Sequence, residues 1–259
     1  MHDDQRASES WPRDVALLVV GHGTADPGGA AETRRVAALV AEALPAVPVE
    51  LGFLEVIGPS LGEALATLAQ RGCREVVAAP LLLFAAGHAR RDVPEALAAG
   101  AAACGVVVRQ AEPIGCHPDL VALSARRLAA VGGCADAALV VVGRGSSGGT
   151  AAEQLMAYAH AVLAEPGLAP PRFLGLAFAA AARPTLPEGL DAAAASGARR
   201  VVVLPHLLFG GHVEEQIRAA VAAARAAHPA IEWVAASRLG AEPAVARALV
   251  ARAGEVVSD

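Results

Sequence analysis

The chain has 259 residues, of which 55% are apolar and 3% aromatic, with a formal net charge of −5. That is enough apolar material for one large or two smaller domains with aliphatic cores. The negative charge, with no basic stretch interleaved with aromatics, excludes a broad nucleic-acid surface. No apolar run is long enough to span a bilayer, and residues 1–14 are polar and acidic with no signal-peptide core. Cys73, Cys104, Cys116 and Cys134 form neither a CxxC pair nor a zinc-ribbon spacing. The expectation is a cytoplasmic protein with a disordered tail over 1–14, unbridged structural thiols and no membrane or nucleic-acid partner.

Residues 15–20 read as a first strand, a short branched run of the kind buried on both faces of a sheet, leading straight into Gly21-His22-Gly23-Thr24. Glycine on either side of His22 lets the backbone turn sharply where the strand ends. Val36, Leu39, Val40, Ala43 and Leu44 share one stripe of a helix over 30–44, which Pro45 stops. A second strand is expected over 49–56, ending in Phe53-Leu54-Glu55. Pro59 opens a helix with Leu61, Leu65 and Leu68 on one face, and Gly72 closes it. A third strand over 75–83 leads into a loop ending at His88. Asp92 is the expected N-cap of the next helix, with Glu95 reaching back. Residues 106–108 begin a fourth strand, and Pro118 starts a fourth helix running to Val131.

The pattern then restarts. LVVVGRGS from Leu139 repeats LLVVGHGT from Leu17, and GARRVVVLPHLL from Gly197 repeats GCREVVAAPLLL from Gly72. His22 and Arg144 are 122 positions apart, and Pro118 and Pro243 are 125 apart. So constant a shift over several landmarks marks a duplication. Each half reads βαβαβαβα, which implies a parallel sheet covered on both faces. The expected architecture is α/β, with two tandem duplicated domains over 15–132 and 133–259, each a four-stranded parallel sheet flanked by helices. A cleft between two such halves is a common ligand site. One chain supplies both halves of it, which suits a monomer and is also compatible with a homodimer.

His22 follows strand one and His88 follows strand three, so both lie at the carboxyl edge of one sheet, where open parallel sheets bind ligands. Two neutral imidazoles can share a divalent first-row metal there. Glu55, at the end of strand two, adds a carboxylate.

On these residues the chain resembles a known family. GHGT at His22, FLE at Glu55, PLLLFAAGHARRDVP around His88 and PIGCHP at Cys116 are similar to the sirohydrochlorin cobaltochelatases, class II chelatases that need no ATP. GRGSSG, RPTLPEGL and ARRVVVLPHLLF resemble the C-terminal half of the two-domain members, and the likeness covers most of 15–250. It implies insertion of Co²⁺, or of Fe²⁺ or Ni²⁺, into sirohydrochlorin with release of two pyrrole protons, in cobalamin or siroheme-type biosynthesis, and no permanently bound cofactor. By that implication His22 and His88 hold the incoming metal. One or both accept protons, since imidazole in water titrates at about 6.5. Glu55 assists as ligand or proton acceptor. A substrate rich in carboxylates calls for cations. Arg90 and Arg91, just after His88, and Arg144 are the candidates, because guanidinium binds carboxylate through two parallel hydrogen bonds. A solvated helix start is the competing reading of Arg90 and Arg91.

The second half departs from the pattern. Arg144 stands where a copy of His22 is expected, and His212 keeps the place of His88 without a matching ligand. A single active site is therefore expected, in the N-terminal half. The chain also lacks the histidine-rich tract and the iron–sulfur cysteines of some long members. His206 takes the place of Leu81 in a strand, facing the cleft; His117 reads as a loop residue at a helix start, and His160 and His228 as helix-surface residues. Two other classes of function share these features. Gly143-Arg144-Gly145-Ser146-Ser147-Gly148 is a literal GxGxxG, which suits a nucleotide or phosphate at a helix start. The fingerprint also wants an acid at the end of the next strand, and that strand ends Leu176-Ala177-Phe178-Ala179. Ser146 fails the GxSxG pattern of hydrolase nucleophiles. A metal or tetrapyrrole carrier would use the same pocket without catalysis.

Overall fold

The computed structural model describes residues 11–12, 14–84, 91–146 and 149–257. Strands and helices alternate along them. The first repeat holds β1 (Val15–Gly21), α1 (Pro27–Ala43), β2 (Val49–Phe53), α2 (Leu61–Gln70), β3 (Glu75–Pro80), α3 (Asp92–Cys104), β4 (Val107–Gln110) and α4 (Pro118–Ala130). The second holds β5 (Ala138–Gly143), α5 (Ala151–Leu163), β6 (Phe173–Phe178), α6 (Leu186–Ala195), β7 (Arg200–His206), α7 (His212–Ala227), β8 (Glu232–Ala235) and α8 (Pro243–Val257).

The strands form two all-parallel sheets, ordered β2-β1-β3-β4 and β6-β5-β7-β8, so the expected α/β duplication is what the chain folds into. Every residue of β1 and β5 is buried, which is why these runs are aliphatic without polar alternation. Ala16, Leu18 and Val20 face Leu61, Leu65 and Leu68 of α2 and Val93 and Leu97 of α3. In the other unit Ala138, Val140 and Val142 face α6 and α7 in the same way. In each sheet the chain leaves its first strand for a neighbour on one side, then crosses back to the other. The switch of direction falls between β1 and β3, and its carboxyl end is where ligands bind in such sheets.

The compact units do not follow the repeats. One comprises residues 1–115 with 241–259, the other 116–240, rather than 15–132 and 133–259. The last helix of each repeat is exchanged: α8 packs on α1, β3 and β4, while α4 packs on α5. An arginine ties each exchanged helix down at matching positions. Arg252 donates to the Ile114 carbonyl at 3.2 and 3.3 Å, and Arg127 donates to the Leu239 carbonyl at 3.4 Å. Tyr158 adds a buried bond to the Leu120 carbonyl of α4 and shares a 2.7 Å bond with Ser124.

Several element ends differ from expectation. β2 stops at Phe53, because the Phe53 amide donates to the Pro59 carbonyl and the chain then turns. β3 stops at Pro80, where the Leu82 amide folds back onto the Pro80 carbonyl. The helix starting at Asp92 has Arg91, not Asp92, at its N-cap position, with no side-chain cap bond. α2 is entered through a capping box: Ser60 accepts from the Glu63 amide and Glu63 reaches back to the Ser60 amide. Those bonds hold the Glu63 carboxyl below its usual range. Thr185 and Glu188 repeat the box at α6.

Candidate metal and tetrapyrrole site

Register brings the ends of β1, β2 and β3 level, with Gly21 opposite Phe53 and Val20 opposite Pro80. Beyond the ladder two more backbone bonds join the strand ends: the Leu54 and Glu55 amides donate to the Gly21 and His22 carbonyls at 2.9 and 3.1 Å. This clamps the backbone of Glu55 beside that of His22. Gly23 completes the contact. Its φ is +98°, and a Cβ there would lie 1.9 Å from the Glu55 carbonyl oxygen, so only glycine lets the two loops touch. Beyond it, Thr24 accepts from the Asp26 amide and Asp26 accepts from the Gly29 amide, fixing the turn into α1.

The result is a His22 Nε2 to Glu55 Oε1 distance of 3.3 Å, with both side chains open to solvent at 40% and 58% exposure. Two ligands each about 2.1 Å from one ion and this far apart subtend about 104°, near the tetrahedral angle. The spacing is that of two ligands of one tetrahedral ion, which would need further donors to complete its shell. Among the described residues no group of three or more His, Cys, Asp or Glu side chains is placed to hold a metal. His88 and Arg90 lie outside the described residues. The base of the segment that carries them is described: the Ile114 and Gly115 amides donate to the Leu82 and Leu83 carbonyls, so the PIG of PIGCHP buttresses the loop after β3. Arg91 is exposed at the start of α3.

The second unit keeps the frame and has neither the histidine nor the carboxylate. The Ala179 and Ala180 amides donate to the Gly143 and Arg144 carbonyls, and a Cβ at Gly145 (φ +88°) would lie 1.9 Å from the Ala180 oxygen. Ala180 is thus the counterpart of Glu55. The shift of 125 that aligns GPSL with RPTL places Ala180 opposite Glu55 in the sequence as well. The loop 179–182 lines an apolar cavity of about 360 Å³ with Phe178, Pro187, Gln216 and Ala220, a lining without a metal ligand. Arg144 and His212 are both exposed. β6 has no acid at its end and residues 147–148 lie outside the described residues, so the nucleotide reading gains no support.

His117 accepts from the Asp119 amide at 3.3 Å and so caps α4; His160 is an exposed residue of α5, and His228 is the C-cap of α7. His206 is 3% exposed and packs against Tyr158 with ring centroids 3.9 Å apart and the planes tilted by 43°. Burial pushes its imidazole down to about 3. Unfolded histidine takes a proton below about 6.5, whereas folded His206 does not. Its stabilising effect is full above about pH 6.5 and is lost progressively as the pH falls toward the lowered value. His206→Leu, which installs the residue of the other repeat, should flatten acid destabilisation. Denaturant titrations of both proteins from pH 7 to pH 4 check this, and parallel losses would contradict it.

The CbiX family profile matches residues 16–131 and again 138–256. The chain belongs to the CbiX family. The sirohydrochlorin cobaltochelatase of Priestia megaterium is 27% identical over 246 residues, covering 93% of this chain and 79% of that protein. The sirohydrochlorin ferrochelatase of Bacillus subtilis is 27% identical over 250 residues, covering 94% and 92%. In fold, the CbiX chain superposes on SirB from Bacillus subtilis with Fe³⁺ at a TM-score of 0.84 and 24% identity, covering 95% of this chain and 96% of the other.

Proposed function

We propose that this CbiX protein inserts a divalent first-row metal, Co²⁺ foremost and Fe²⁺ or Ni²⁺ as alternatives, into sirohydrochlorin without ATP. The observation that carries the reading is the solvent-open His22–Glu55 pair at the carboxyl edge of the first sheet, in a chain of a family whose named relatives are sirohydrochlorin chelatases. Insertion is redox-neutral: M²⁺ replaces two pyrrole N–H protons, which leave as two H⁺. His22 and Glu55, with His88, hold the ion at sites that can also release it. Imidazole and carboxylate suit that task better than thiolate, whose softer bond would retain the ion. As the ion moves to the ring nitrogens, the vacated imidazole and carboxylate lone pairs take up the pyrrole protons.

Arg90, Arg91 and Arg144 meet the substrate's carboxylates. Arg144 is exposed, so its contribution is that of a surface pair. Arg144→Ala should raise KM for sirohydrochlorin about 3- to 5-fold with little change in kcat, and His212→Ala should leave most of the rate intact. A loss in His212→Ala comparable to that in His88→Ala would move the site to the second half. The test of the whole reading is the absorbance change of sirohydrochlorin with Co²⁺, Fe²⁺ and Ni²⁺ in turn, corrected for uncatalysed insertion. A carrier would bind the tetrapyrrole and leave these rates unchanged.

A further inference from the structure

Val56 is 64% exposed and Val107 61%, the two strongly exposed large apolar side chains among the described residues. Val107 begins β4 and pairs with Glu75, which puts it at the amino edge of the sheet. Val56 lies at the opposite edge, immediately after Glu55. Its backbone is also unusual. Its φ is +70°, and the Ile57 amide donates to the Glu55 carbonyl at 2.8 Å, closing a γ-turn centred on Val56. That turn is rare and strained, and a β-branched residue is among the worst suited to it. The counterpart in the second half, Ala181, is also left-handed at φ +53° but carries only a methyl group, and it follows Ala180 where the carboxylate is gone. Nothing in the fold requires a valine there. Glycine would relax the backbone, and a polar residue would suit the exposure.

We infer that Val56 is a substrate-contact residue, an apolar seat for the face of the tetrapyrrole beside the His22–Glu55 pair. A conjugated macrocycle has apolar faces and a charged rim, so its recognition needs an apolar surface near the metal ligands as well as cations for the carboxylates. Non-glycine residues held in left-handed backbone cluster at ligand sites, and of the two matched turns only that of Val56 presents a large apolar side chain beside a carboxylate. The assignment rests on the tetrapyrrole reading above.

The experiment is a titration of the full chain with metal-free sirohydrochlorin, followed by absorbance, so that binding is read without turnover. Val56→Thr keeps the shape and the β-branch and exchanges a methyl for a hydroxyl. It should raise Kd about 5-fold, and Val56→Gly about 10-fold or more. Val56→Gly should at the same time raise Tm, because the left-handed backbone is relaxed. Stronger folding with weaker binding separates a contact from a backbone effect. Val107→Thr should leave Kd unchanged. Kd values for both Val56 variants within twofold of the unsubstituted protein would overturn the assignment. If the unsubstituted protein binds the tetrapyrrole but inserts no metal, the chelatase reading fails, and Val56 is still judged by the same ratios. If it does not bind, both fall.

Discussion

His22→Ala and His88→Ala should each remove most of the cobalt-insertion rate, and the double variant should be little slower than either. The two residues follow β1 and β3, the strands that flank the switch point of the first sheet. Once either imidazole is lost, the remaining groups lack the ligand set needed to present the ion to the ring. Residues that act as one unit give losses that do not add. A rate loss of about 100-fold or more in each single variant is expected, in line with removal of a group needed for proton transfer and metal positioning together. Glu55→Gln keeps the shape and the backbone clamp, and should fall between the single histidine variants and the unsubstituted protein. The measurement is the cobalt-dependent spectral change of sirohydrochlorin, corrected for background. Near-normal rates in both single variants would refute the pair and bring the carrier reading forward.

Gly23→Ala and Gly145→Ala form the second test, because the duplication supplies its own control. In both, a Cβ would lie 1.9 Å from a backbone oxygen, that of Glu55 or of Ala180, and both glycines have φ values that disfavour alanine, +98° and +88°. Each substitution should cost about 2–4 kcal/mol of stability, through strain at a special backbone position and separation of two hydrogen-bonded loops. Their effects on chemistry should differ. Gly23→Ala pushes Glu55 away from His22, and a displacement of about 1 Å can cost about 100-fold in rate. Gly145→Ala disturbs the half in which Arg144 and Ala180 replace the histidine and the carboxylate, so kcat per folded molecule should stay within a few-fold. Denaturation midpoints measured with insertion rates, at a temperature where both variants remain folded, check this. Equal rate losses would mean that the second half takes part in the chemistry.

Much of the site was legible in the sequence because its residues sit at strand ends. A buried aliphatic run followed by Gly-His-Gly announces the end of a central strand, and FLE after the second run announces a carboxylate at the same edge. Order along a parallel sheet then brings them to one place. Element boundaries were less legible. Asp92 has the residue type of an N-cap, yet Arg91 occupies that position and Asp92 stands in the first turn, where a carboxylate also suits the positive end of the helix dipole. The expected strands over 49–56 and 75–83 are shorter in the structure, ending at Phe53 and Pro80, because strand-like residues continue past the end of each ladder into the loops that follow.

The duplication, the parallel α/β architecture and the placement of His22 and Glu55 at the carboxyl edge of the first sheet were determined by sequence alone, for they depend on local periodicity and on order along the chain. Three things were decided only by the tertiary structure. The first is the exchange of α4 and α8. Both helices carry an apolar face, and hydrophobic burial is non-directional, so periodicity along the chain does not say which sheet each one covers; in the structure Arg127 and Arg252 bond the Leu239 and Ile114 carbonyls there. The second is the 3.3 Å approach of His22 to Glu55, which needs a backbone contact that glycine permits but does not announce. The third is the left-handed, exposed conformation of Val56, which its own β-branched preference opposes and which the hydrogen bonds of Glu55 and Ile57 impose.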